Sequence, residues 1–209
     1  MAFTLPEGLA PEMYPLAWLV GRWRGEGVVG YPGIEETAFT QDVVIDHDGG
    51  PYLSYTSTLR LVLVPDDASA LAGADASTDD TDRASDAPDA PDASAESGAE
   101  VGAVWSTEQG FWRIPPDRPE GMGSELFPVE LLLADPSGHV AVYVGATGNG
   151  RIDLVSDVIA RTATGAEVTA GKRLYGLVQG DLMWAHDLAA FGEPMQSYAS
   201  ARLSRTIGD

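Results

Sequence analysis

The side chains able to do chemistry in this chain are few, and their spacing limits what they can do. There are three histidines, His47, His139 and His186, and no cysteine. Without cysteine there is no disulfide, no thiolate metal ligand and no cysteine nucleophile. No two histidines share an HxH or HxxxH spacing, which would set two imidazoles on one ion, so no dedicated zinc or non-haem iron site is expected. His47 sits in Asp46-His47-Asp48-Gly49-Gly50, a turn sequence where a polar, solvated role is expected. His139 opens a segment after Pro136-Ser137-Gly138 and invites the same reading. His186, within Met183-Trp184-Ala185-His186-Asp187, is the best placed to face an interior, where a hydrogen-bonded structural role is the expectation. Glu108 and Glu130 fall in strand-like segments. They could face inward as a carboxylate pair for acid–base work or outward into water, and spacing leaves both open. There is no GxSxG elbow, phosphate-binding glycine loop or HExxH.

Charge narrows the partners. Lys and Arg total 12 against 32 Asp and Glu, a formal net charge of −20 in 209 residues. A polyanion is repelled by such a protein and no basic run reverses this locally, so nucleic acid is excluded as a partner, and an anionic membrane surface is disfavoured. The N-terminal stretch lacks a basic region followed by an apolar run, and no stretch approaches the ~20 apolar residues of a membrane helix. A soluble, cytoplasmic protein is expected. Half of the charge is local: residues 66–100 contain 11 acids, one base (Arg83) and no aromatic or β-branched aliphatic residue. Such a segment cannot bury enough apolar surface to offset the entropy of ordering it, so it is expected to be a disordered insert with no protein partner. The expected organisation is one domain over 1–209, interrupted by that insert.

Around the insert, short alternating segments are bounded by Gly, Pro, Asp and Asn. They fall at 23–31, 36–48, 52–64, 101–114, 124–138, 139–147, 151–162, 167–179, 181–190 and 196–206. A short helix is expected near 12–20, plugging or capping one end. About ten consecutive strands with short connections predict an all-β fold, an up-and-down antiparallel barrel of the calycin or lipocalin type, because closure removes both sheet edges. A β-sandwich is the alternative. A closed barrel of this size has room for a small ligand. The aromatic set Trp23, Tyr55, Trp112, Phe127 and Trp184 reads as barrel core.

At the entrance of the first strand stands Gly21-Arg22-Trp23-Arg24-Gly25-Glu26-Gly27, a GxWxGxG motif followed by Tyr31-Pro32-Gly33-Ile34-Glu35. The tryptophan can close a barrel end, and the glycines let neighbouring backbone approach. GxW alone also occurs in lipocalins; the longer motif is more specific. Further on come Tyr52-Leu53-Ser54-Tyr55-Thr56, Glu108-Gln109-Gly110-Phe111-Trp112-Arg113, Glu167-Val168-Thr169 and Gly192-Glu193-Pro194-Met195-Gln196. Over nearly all of 16–205 outside the insert, the sequence resembles the nitrobindin family of small haem-binding β-barrels. The resemblance implies a ten-stranded antiparallel barrel with a cleft for an apolar ligand. In haem-bearing members that ligand is ferric haem; they bind nitric oxide and isomerise peroxynitrite to nitrate.

Against that family the chain departs at the site itself. Haem-bearing members take their axial ligand from a histidine in the last strand, and Tyr198 stands at the matching position. The family's Y-P-T-I reads Tyr31-Pro32-Gly33-Ile34 here, without the hydroxyl, and Ala166 stands where a lysine often precedes E-V-T. A phenol has a reference pKa of about 10 and needs a cationic neighbour to ligate iron as phenolate. Arg202, four residues on, is expected on the same strand face but about 13 Å away. The resemblance therefore implies a non-enzymatic barrel without haem or any other cofactor, holding another hydrophobic small molecule or none. The alternative is a haem b protein with Tyr198 as axial ligand, acting as a peroxynitrite isomerase.

Overall fold

The structure is a computed structural model describing residues 5–63 and 100–206. The acidic insert expected at 66–100 lies outside the described residues except for Glu100, which begins a strand.

The chain starts with a 3-10 helix over Pro11–Leu19, carrying Pro15 inside it. Proline donates no backbone hydrogen bond and crowds the preceding turn, which suits a short, tight helix. Ten strands follow: β1 (Gly21–Tyr31), β2 (Ile34–Asp46), β3 (Leu53–Leu63), β4 (Glu100–Arg113), β5 (Phe127–Asp135), β6 (His139–Gly148), β7 (Arg151–Arg161), β8 (Val168–Val178), β9 (Asp181–Ala190) and β10 (Gln196–Thr206). Each lies within a few residues of its expected place. All pairs are antiparallel between sequence neighbours, and β1 pairs with β10 from Arg22↔Thr206 to Val29↔Ala199. The sheet is thus a closed barrel, and the sandwich alternative is set aside.

Antiparallel order sends alternate strand ends to the same pole. The start of β1 and the end of β10 meet the helix at one pole, and the end of β1 and the start of β10 lie at the other. The helix buries Met13, Leu16, Ala17, Trp18 and Leu19. Behind it Trp23 is 1% exposed and donates its indole N–H to the Leu19 carbonyl at 2.8 Å. Arg205 stacks 4.1 Å over the Trp23 ring and donates to the carbonyls of Trp18 and Val20. The helix is therefore fastened to the barrel through a tryptophan and an arginine from the two strands that close it.

The motif glycines belong to the same seam. A Cβ on Gly25 would collide with the Arg202 carbonyl oxygen, and one on Gly27 with the Ser200 carbonyl and the Phe39 ring. The two carbonyl contacts are backbone contacts across the β1–β10 closure, which only glycine permits. Gly21, at φ +142, has the Arg205 guanidinium where a Cβ would be. Among the described residues no helix is long and apolar enough to cross a membrane.

Candidate functional site

At the pole away from the helix the barrel holds a cavity of about 420 Å³. Ile34, Leu133, Ala141, Ile159, Val168 and Leu188 supply its apolar wall. The size and the apolar lining with a few polar groups are those of a small-molecule site.

The floor is a row of inward side chains on β8, β9 and β10. Arg173 is the register partner of His186, and His186 of Ala199. Arg173 is 5% exposed and bonds Glu108, across the barrel on β4, with both terminal nitrogens, one at 2.9 Å. The same guanidinium donates to the Tyr175 hydroxyl at 3.3 Å and lies 5.1 Å from the Tyr143 ring centroid. Burial opposes its charge, but the Glu108 carboxylate holds it firmly protonated. A buried pair of this kind survives only with such bidentate geometry. Its Nε remains buried with no acceptor among the described residues.

His186 is 7% exposed, and its Nε2 is 3.4 Å from the Tyr143 hydroxyl. Gly171 makes room for this contact, since a Cβ there would lie 2.6 Å from the Tyr143 oxygen and 3.2 Å from Nε2. Burial, and then the Arg173 cation, push the imidazole well below its ordinary value, so it is neutral at pH 7.

Tyr198 reaches the cavity through a bulge. Between Ser197 and Ala199 the β10 register shifts, since Ser197 pairs Asp187 and Ala199 pairs His186. Tyr198 is the extra residue, and bulges re-aim a side chain in this way. Its ring stands edge-on to His186 at 5.6 Å and to Tyr31 at 6.1 Å. Tyr31 is itself pinned, its hydroxyl donating to Leu188 O and accepting from the Ala190 N–H, both at 3.0 Å. Opposite, Trp105 occupies a second bulge, for Ser106 pairs Leu59 whereas Val104 pairs Arg60. Its indole N–H donates to the Tyr198 hydroxyl at 3.0 Å. Two bulged residues thus meet across the cavity. Burial raises the Tyr198 pKa; the Trp105 bond pulls the other way, and Glu108 adds to the rise.

Several expectations need correction. Arg202 does not share a face with Tyr198: the bulge breaks the alternation, and Arg202 pairs outside with Asp181 at 2.6 Å. Glu108 and Glu130 are not a carboxylate pair, because Glu130 faces outward to Arg113 at 3.3 Å. Phe127 is 41% exposed on the outer wall, not in the core, while Trp23, Tyr55 and Trp112 are buried and Trp184 is partly buried against them. Gly33, at φ +83 in the β1–β2 turn, is not among the lining residues. Ala166 is at the rim, where its carbonyl accepts from His139 Nε2 at 2.8 Å. His139 also lies 3.3 Å from Asp135, and both line the mouth. His47 stays in its turn with Nδ1 buried and without a partner among the described residues. There, too, no group of three or more metal-capable side chains comes together.

Arg173, Tyr143 and Trp105 were not singled out from sequence. Arg173 did leave a signal: it stands on the parity of Gly171 and Tyr175, the buried face of β8. A wider groove of about 1220 Å³ lies outside the barrel near the helix, lined by Tyr14, Tyr52, Phe111 and several prolines. It holds no comparable buried polar cluster.

The comparisons with known proteins agree with this architecture. Residues 12–205 match the family model described as THAP4-like, heme-binding beta-barrel domain. A ferric nitrobindin-like protein of Beutenbergia cavernae is 46% identical over 231 aligned positions, covering 98% of this chain and 99% of that protein. A peroxynitrite isomerase of a Parafrankia species is 40% identical over 203, covering 95% and 81%. Among solved structures, Rv2717c from M. tuberculosis superposes with a TM-score of 0.66 at 28% identity, covering 95% of this chain and 99% of that one. The closed ten-stranded sheet, the match along almost its whole length and these relatives show that the chain belongs to the nitrobindin family of THAP4-like, heme-binding β-barrels.

Proposed function

We propose that this protein is a haem-free member of its family that holds another apolar small molecule in the cavity at its open pole. The observation that carries the reading is the donor set on the cavity floor. Tyr198, at the position the family resemblance assigns to the iron-ligating histidine, is a partly buried phenol with a raised pKa, already accepting from Trp105. A ligating phenolate needs a cation to depress its pKa. The nearby cation, Arg173, is neutralised by Glu108. The nearby imidazole, His186, is engaged with Tyr143 and stands edge-on to the Tyr198 ring. This donor set does not fit ferric haem. What the residues do instead is bind: the aliphatic walls take up apolar surface, and the floor offers a few fixed polar groups that orient a guest. The partner is then a small molecule, with no role for nucleic acid, membrane or a second protein.

A second reading has its own support, because relatives named peroxynitrite isomerase are 40% and 37% identical to this chain. In that reading Tyr198 ligates haem b. Haemin added to the purified protein separates the two. The first reading expects broad, non-stoichiometric absorption. A sharp Soret band at one equivalent that disappears in Tyr198→Phe would overturn it.

A further inference from the structure

The chemistry of the cavity says more about its guest than that it is apolar. This inference rests on the small-ligand reading above and deepens it. The Tyr198 hydroxyl accepts from Trp105, and among the described residues its own proton has no acceptor. Arg173, lining the same cavity, leaves a second donor, Nε–H, without an acceptor among the described residues. The floor thus has donors to spare. A guest with no acceptor would bury them unpaired, which binding sites penalise strongly.

Charge decides what kind of acceptor fits. Arg173 is already held bidentate by Glu108. At the mouth, His139 is paired with Asp135. The Arg173 cation is already matched by Glu108, so a carboxylate would enter beside Glu108 and Asp135 uncompensated. Burying an unpaired charge next to like charges is costly. An ammonium ligand meets the opposite obstacle, since the open positions on the floor are donors.

We propose that the cavity takes a neutral, mainly apolar molecule bearing a carbonyl oxygen, which accepts the hydrogen bond of the Tyr198 hydroxyl. The aliphatic wall holds the hydrocarbon part, and Trp105 holds the phenol oxygen from the other side, fixing where its proton points. Arg173 Nε–H is the second donor available to the same oxygen or to a neighbouring one.

Three probes of nearly equal size test this by calorimetry: 2-acetylnaphthalene, 2-isopropenylnaphthalene, which replaces the carbonyl oxygen by a methylene, and 2-naphthoate. The expected order is the ketone tightest, about fivefold to tenfold over the hydrocarbon as one hydrogen bond supplies, and the carboxylate weakest. In Tyr198→Phe the ketone should lose that advantage while the hydrocarbon binds as before, which also reports that the variant is folded. Equal binding of ketone and hydrocarbon, a ketone advantage that survives in Tyr198→Phe, or naphthoate binding tightest would each overturn the proposal. The wild-type ranking tests it even without the variant. If none of the three binds, the small-ligand reading itself fails, an outcome distinct from hydrocarbon and ketone binding alike.

Discussion

The two poles of the barrel are built from the same ten strands by opposite means. At the helix pole, the interior is filled by Trp23, Trp112, Leu16, Leu19 and Leu203, each at most 1% exposed. Regular pairing runs unbroken across the β1–β10 seam, and glycine lets the two backbones touch. At the open pole the register shifts at several places, Trp105 and Tyr198 among them, and the interior holds an ion pair and a neutral imidazole, with Tyr143 and Tyr198 lining a cavity. The long GxWxGxG motif, the strongest signature in the chain, belongs wholly to the first pole. It reports how the barrel is closed and carries no information about what the other pole binds. Relatives can therefore share the motif and differ in chemistry, because the packing that closes the sheet and the side chains that meet a ligand lie at opposite ends.

If this division is right, substitutions at the helix pole change stability and those at the open pole change binding. The largest expected effect is Trp23→Ala, a loss of about 3–5 kcal/mol from a large core cavity. Urea unfolding measures it, and the folded fraction should bind 2-acetylnaphthalene as the wild type does; a matching fall in affinity would break the division. Gly25→Ala comes next, at about 1–3 kcal/mol, because β10 must move away from the new methyl group. Here too the loss should appear in the unfolding midpoint and not in the probe affinity.

The open pole contributes a pH effect. The folded pKa of His186 lies well below 6.5, so as pH falls below about 6.5 the unfolded chain takes up a proton that the native state refuses. Stability should then decrease by up to about 1.4 kcal/mol per pH unit between roughly pH 6.5 and 5 from this group. His186→Gln should remove that part of the slope in urea midpoints measured across the same range. An unchanged slope would mean that the imidazole is protonated in place. Tyr198→Phe, which removes one partly buried hydroxyl, should change stability by no more than about 1 kcal/mol in the same assay, in contrast to its effect on ketone binding. Smallest of all, Arg151→Ala removes an exterior ion pair with Asp153 at 2.7 Å, whose members are 61% and 47% exposed. A shift within about 0.5 kcal/mol is expected at neutral pH.

The strand boundaries were legible because alternation and turn residues are local. Gly138, Gly150, Gly180 and Gly192 all take positive φ at the breaks read from the sequence. The place of Trp112 in the core was equally local. What the open pole holds was not. Glu108 and Arg173 are 65 residues apart on strands that are not sheet neighbours, so only curling the sheet into a barrel brings them together. Alternation placed Arg202 on the face of Tyr198, and a single extra residue in β10 reversed that. Phe127 shows the limit from the other side: an aromatic at a strand start says nothing of which wall it faces.

By itself, the sequence determined about ten strands, their hairpin order and a glycine-rich first strand with a tryptophan at its entrance, because period-two patterning and turn chemistry are written into neighbouring residues; that the first and last strands pair was decided by the tertiary structure. It also put a tyrosine where the family resemblance calls for a histidine. Tertiary structure alone decided that this tyrosine looks inward, that a tryptophan from the opposite wall holds its oxygen, and that the buried Arg173 cation on the floor is neutralised by a carboxylate from across the barrel. Those outcomes depend on register shifts and on the diameter at which the sheet closes, and both are set by the packing of all ten strands together.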